Sequence, residues 1–145
     1  MIRNVVFLAT ALFAILPLTL SAQQEQKQQQ QKPQDEKPKR QPTEANVAYG
    51  THERQVLDFY RAESDQPTPL VFFIHGGGWV RGDKANPGAL EQYLASGISV
   101  VSINYRYTWQ AQLAGVMPPV EWPIADAVRA LQFVRSKAKE WNIDK

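Results

Sequence analysis

The sequence predicts an α/β fold, with two leading strands followed by strand, helix, strand and helix. Two apolar, β-branched runs, at Leu70–Ile74 and over 98–105, are separated by apolar residues at helical spacing, Leu90, Tyr93 and Leu94. A longer helical stripe begins near Pro123. Between the first run and the first helical pattern lies His75-Gly76-Gly77-Gly78-Trp79. Three glycines closing a buried strand cost conformational entropy, so they mark a backbone that must approach something closely.

Residues 1–22 read as a secretory signal peptide. Arg3 gives the basic start, residues 4–20 are apolar, and Ser21-Ala22 puts small residues before the cut. Leu20 stands three positions before that cut, where Ala is commoner, and an uncleaved anchor is the alternative. The apolar stretch is short for a spanning helix, which favours cleavage. The expected location is secreted or periplasmic.

Residues 23–45 follow as a spacer. Residues 23–44 hold no apolar side chain, and glutamines at 23, 24, 26, 28–31, 34 and 41 mix with charges and prolines. Such a segment buries too little surface to offset its ordering entropy, so it is expected to be disordered. A glutamine-rich interaction tract is the functional alternative.

The globular part is expected over 46–145. Val47-Ala48-Tyr49 and Val56–Tyr60 alternate as short strands. Leu70–Ile74 is apolar throughout, as in a strand covered on both faces. Asn86-Pro87 has the character of an N-cap and first helical position, and Gly97 closes the helix that follows. In the last helix Ile124, Val128, Leu131, Val134, Ala138 and Trp141 form one expected apolar stripe. Glu121 and Asp126 near its start, and Lys137 and Lys139 near its end, suit the helix dipole. This alternation implies a parallel sheet with right-handed crossovers.

Composition excludes several functions. With no cysteine, export brings neither disulfides nor thiol catalysis. A formal net charge of +2 does not indicate nucleic acid or an acidic membrane as partner. Gly82 is followed by Asp83 and then Lys84, so a phosphate-binding Walker loop fails. A dinucleotide fingerprint starting at Gly76 meets Arg81 where its last glycine belongs. His52 and His75 are the only histidines and lie far apart, which leaves a metal site without support. No cofactor is expected.

What the glycine run does suit is an oxyanion hole. A chain with no Cβ in the way lets successive N–H groups face one cavity, where a tetrahedral intermediate would be stabilised. Gly77 and Gly78 are the candidate donors. His75 precedes them at the strand end, where it braces the loop rather than acting as a base.

His75-Gly76-Gly77-Gly78-Trp79-x-x-Gly82-Asp83-Lys84 resembles the oxyanion loop of the α/β-hydrolase superfamily, in its hormone-sensitive-lipase-like and feruloyl-esterase-like (BD-FAE-type) branch. Tyr49-Gly50, Leu57-Asp58-Phe59-Tyr60, Asn104-Tyr105-Arg106-Tyr107, and Pro123 with Asp126 echo the same branch. The resemblance implies the N-terminal part of an α/β-hydrolase sheet and a carboxylic-ester hydrolase acting on a small-molecule ester. It implies oxyanion donors at Gly77 and Gly78, a turn shaped by Gly76, and Trp79 at the mouth of an acyl pocket or packed in the interior. Gly82 and Asp83 would fix the return of the loop, with Arg106 and Asp126 as structural charges.

One departure limits this. Such enzymes carry their nucleophile on a Gly-x-Ser-x-Gly elbow after the next strand, with Asp or Glu and then His beyond it. The serines at 21, 64, 96, 99, 102 and 136 are in no such elbow, and both histidines precede the place it would occupy. No catalytic residue is assigned, and no esterase activity is expected from these residues alone. Without the serine-bearing neighbour, Leu70–Ile74 becomes an apolar sheet edge, an aggregation hazard. The chain reads as an N-terminal fragment of an esterase. The alternatives are a non-catalytic exported binding module and a half-domain completed by another chain.

Overall fold

The computed structural model describes residues 39–144. The signal peptide and most of the spacer lie outside the described residues. Four strands form one sheet: β1 (Glu44–Ala48), β2 (Val56–Tyr60), β3 (Leu70–Ile74) and β4 (Ser99–Ile103). The helices are α1 (Leu90–Ala95), α2 (Thr108–Leu113), α3 (Glu121–Ser136) and α4 (Ala138–Trp141). Among them no helix is long and apolar enough to cross a membrane. Strand β1 takes in Glu44 and Ala45, two residues assigned above to the spacer.

The strand order is β1-β2-β4-β3. The sheet is mixed rather than parallel: β2 runs antiparallel to both β1 and β4, and only β3 and β4 are parallel. A short turn rather than a helical crossover joins β1 to β2, and it forces the antiparallel sense. Every residue of β4 is buried at the centre of the sheet. Strand β3 has a single strand neighbour; its side chains are half-buried and Ile74 is exposed. The continuous apolar run of β3 therefore forms an edge rather than an enclosed strand.

Helix α1 begins at Ala89, which takes left-handed backbone angles (φ 58°), not at Asn86. Lys84 is tied to β4 by its own peptide groups, so the chain spends residues 85–89 leaving that anchor before a helix can start. Gly97 (φ 74°) closes α1 as expected, with the Ile98 N–H donating back to the Tyr93 carbonyl at 2.9 Å.

Helix α3 starts at Glu121, which places Pro123 in the first turn, where its missing N–H costs nothing. Its buried residues are Pro123, Asp126, Ala130 and Val134. Half of the expected stripe is therefore displaced: Ile124, Val128 and Leu131 are exposed. The rotation is set by Asp126, whose fully buried carboxylate accepts from Gln55 Nε2 at 2.7 Å and from Arg106 Nη2 at 2.6 Å. Small residues then meet the sheet and the larger ones face outward. The later half of the stripe is inside as expected, since Trp141 is fully buried and stacks on Phe59 with centroids 4.4 Å apart.

Beyond α4 the chain turns at Asn142 (φ 53°) and forms a parallel bridge from Ile143 to Thr68. Thr68 N–H donates to the Asn142 carbonyl at 3.0 Å, and Asp144 N–H donates to the Thr68 carbonyl at 2.8 Å. The next residue, Pro69, accepts from Ser99 on β4. Backbone groups alternate sides along an extended chain, so residues 142–144 lie along the side of β3 that β4 leaves open.

Candidate active site

The glycine run leaves the sheet at the C-terminal end of β3. His75 is buried, and its ring stacks on Tyr105 with centroids 4.3 Å apart. Nδ1 of His75 lies 2.8 Å from the Gly76 carbonyl, an oxygen that can only accept, so Nδ1 carries the proton. The Tyr105 hydroxyl donates to the His75 carbonyl at 2.8 Å, which holds both backbone and ring of the strand end. Nε2 is buried and without a partner among the described residues.

Gly77 (φ 117°), Gly78 (φ 63°) and Trp79 (φ 66°) take three successive positive φ values. Only glycine takes these without strain, and Trp79 carries the cost of a left-handed side-chain-bearing residue. Among the described residues the N–H groups of Gly77 and Gly78 have no hydrogen-bond partner. Open space lies beside Gly76 and Gly78, where an added Cβ would meet nothing within 4 Å. Gly77 is different, because a Cβ there would stand 2.1 Å from the Arg81 carbonyl oxygen. Unpaired donors next to open space are what a developing oxyanion requires.

The return limb is fastened at several points. Trp79 carbonyl accepts from Thr108 N–H at 2.9 Å. Gly82 carbonyl accepts from the Tyr107 hydroxyl and from Arg54 Nη2 at 3.2 Å, while Arg54 Nε donates to the Tyr105 carbonyl at 2.8 Å. The Arg54 guanidinium also lies over the Tyr107 ring, 3.8 Å from its centroid. Asn104 reads two neighbours at once: its Oδ1 accepts from Lys84 N–H and its Nδ2 donates to Asp83, both at 2.8 Å. Burial pushes the Asp83 carboxyl up, but donors from Asn104 and Ala85 and the charges of Lys84 and Arg54 outweigh it and hold it below its ordinary value. Arg54 and the Asp83–Asn104 contact give no local signal in the sequence, because their partners lie 21 or more residues away.

Trp79 is partly exposed and leans on Tyr105, with Tyr107 and Trp109 continuing the aromatic row. Arg106 and Asp126 form an ion pair that accounts for every polar atom of the carboxylate, and the guanidinium also covers Trp122. They are structural charges, as expected. Ser99 and Ser102 are fully buried, Ser99 Oγ accepting from Ala62 N–H and Ser102 Oγ donating to the Lys84 carbonyl, so neither faces the loop as a nucleophile. His52 is occupied in its own turn, where Nδ1 accepts from Arg54 N–H. A groove of about 540 Å³ lies at the other end of the sheet, lined by Thr43, Tyr60, Arg61 and Glu91, away from the glycine loop.

A family profile described as BD-FAE matches residues 57–145. Esterase LipC of Mycobacterium tuberculosis is 31% identical over 105 residues, covering 68% of this chain and 24% of that protein. A truncated carbohydrate esterase from gut microbiota superposes with a TM-score of 0.57 at 28% identity, over 72% of this chain and 39% of its own. Esterase B of Lactobacillus rhamnosis superposes over 88% of this chain and 39% of its own, with a TM-score of 0.58; at 21% identity it speaks for the fold alone. The chain thus spans 24% of the length of its curated relative and 39% of each of these structures. On the match over residues 57–145, the chain belongs to the BD-FAE family, with the α/β-hydrolase fold of esterases.

Proposed function

We propose that these residues form the oxyanion-binding wall of a carboxylic-ester hydrolase. The observation that carries this reading is the pair of unbonded N–H groups at Gly77 and Gly78, held at positive φ, with open space beside Gly76 and Gly78. When a nucleophile attacks the ester carbonyl, its oxygen gains charge, and fixed donors in a desolvated site lower that barrier without reorganising. The loop supplies electrostatics only. The nucleophile, the general base and its orienting acid come from outside residues 1–145, since no Gly-x-Ser-x-Gly occurs within them.

The bridge from Ile143 to Thr68 supports the route by which the nucleophile arrives. A strand continuing from Ile143 runs parallel to β3 and rises about 3.3 Å per residue toward His75. A serine elbow at its end would stand beside Gly77, and the N–H following the serine would add a further donor. The substrate is a small-molecule ester, with no metal or organic cofactor and no nucleic acid. Residues 1–22 would direct the protein out of the cytoplasm, to a secreted or periplasmic site and free of the membrane after cleavage.

Sequencing the DNA downstream of the Lys145 codon tests this reading. A Gly-x-Ser-x-Gly within the next strand length, in frame or displaced by a frameshift, is the expected result. An unrelated sequence followed by a stop would favour a non-catalytic binding module or a half-domain completed by another chain.

A further inference from the structure

Lys84 and Asp58 form an ion pair at 2.8 Å, and both side chains are more than nine-tenths buried. Taking two charges out of water is expensive, and an apolar pair of the same volume is often at least as stable. Such a pair is therefore weak as a stability device. Its surroundings show what else it holds. Asp58 Oδ2 accepts from Lys84 Nζ, and Oδ1 accepts from Asn46 N–H at 2.8 Å, where β1 bulges away from β2. The Lys84 backbone is pinned to β4 by Asn104 and Ser102. One residue at the foot of the glycine loop is thus tied to three strands.

The loop transmits that anchorage without slack. Two residues back, Gly82 lies so close to the strand end that an added Cβ would stand 2.4 Å from the Gly76 carbonyl oxygen. Gly77 is pressed against Arg81 in the same way. The outgoing and returning limbs touch at both points, backbone to backbone, so a displacement of Lys84 must move Gly76 and Gly77. The donors themselves carry no bond that would resist it.

We propose that Lys84, through Asp58, is a positioning residue that sets where the Gly77 and Gly78 N–H groups point. The inference rests on the ester-hydrolase reading for its catalytic consequence, though not for its structural one. The Lys84 ammonium faces the interior and touches no substrate; it acts through the loop backbone.

The test compares Lys84→Met/Asp58→Leu, which replaces both charges by apolar groups, with Lys84→Arg, which keeps the pair. In the gene product that hydrolyses p-nitrophenyl acetate, the double variant is expected to melt cooperatively and lose ten- to a hundredfold in kcat with KM changed less than twofold. Lys84→Arg is expected to recover most of that loss. In the 145-residue chain labelled with ¹⁵N-glycine, the Gly77 and Gly78 amide signals are expected to shift in the double variant and return in Lys84→Arg. A folded double variant with unchanged kcat and unchanged glycine signals overturns the proposal. So does a double variant that unfolds while Lys84→Arg restores fold and rate together, which would make the pair a stability element. If the wild-type gene product extended through a serine elbow hydrolyses no ester, the esterase reading fails, and the glycine signals alone decide the positioning claim.

Discussion

Gly82 stands against His75 so closely that a Cβ on it would lie 2.3 Å from Nδ1 of the imidazole. It also holds φ at 114°, which a side-chain-bearing residue reaches only under strain. The return of the loop and the strand end thus share one tightly packed junction. Gly82→Ala is expected to lower stability by about 3 kcal/mol, from backbone strain together with overpacking. Denaturant unfolding of the variant measures it.

Gly76→Ala gives the opposite pairing of effects. Gly76 has an ordinary φ and nothing within 4 Å of an added Cβ, so the fold should change by no more than about 0.5 kcal/mol. The methyl enters the open space before the donors, where an oxyanion would sit. Unchanged melting with a reduced rate of ester hydrolysis in the gene product is the expected result.

Asp126→Ala removes the carboxylate bonded to Arg106 and strands Gln55 Nε2 as well. Removing one partner of a buried pair costs about 3–5 kcal/mol when the charge left behind is buried and uncompensated, and here the fully buried charge is Asp126. Thermal melts should place Arg106→Ala, which leaves that carboxylate only neutral donors from Gln55 and the backbone N–H of position 106, below Asp126→Ala, which leaves a guanidinium that reaches solvent.

Asp83 makes the loop sensitive to acid. Its carboxyl titrates below the ordinary value when folded, so the unfolded chain binds more protons in that range. The stability it contributes is complete above the ordinary carboxylate value of about 3.9 and is lost as pH falls through the lowered one. The melting temperature of the wild type should drop as pH falls below about 3.9. Asp83→Asn should start lower and fall less over the same range.

Trp141 separates packing from hydrogen bonding. The ring is fully buried on Phe59, yet its Nε1 has no partner among the described residues. Trp141→Ala should cost about 3–5 kcal/mol through the cavity it leaves. Trp141→Phe keeps the stack and removes the orphaned donor, and equilibrium unfolding should find it far milder.

Much of this was legible in the chain. The spans of β2 and β3 follow from short-range apolar pattern, and the glycine loop from three adjacent glycines, of which Gly77 and Gly78 hold positive φ. What was not legible depends on distant partners. The rotation of α3 is set by Asp126 reaching Gln55, 71 residues away in sequence, so periodicity alone placed Ile124, Val128 and Leu131 on the wrong side. The delayed start of α1 follows from Lys84 being held by β4. Helix α2 has six residues, with Ala111 its one buried side chain, too short and too exposed to give a period. In the site, Gly77, Gly78 and His75 were visible by residue type, whereas Arg54 and the Lys84–Asp58 pair needed the folded chain to bring them to the loop.

The most direct test of the oxyanion reading is turnover of p-nitrophenyl acetate by two proteins, the chain through Lys145 and its extension through a serine elbow of its own gene. Each is assayed with and without Gly77→Ala, a change that displaces the loop from Arg81. The expected result is no turnover by the shorter chain, and in the longer one a loss of about a hundredfold in kcat at nearly constant KM. Turnover by the shorter chain that Gly77→Ala abolishes, or a longer chain indifferent to that change, would contradict it.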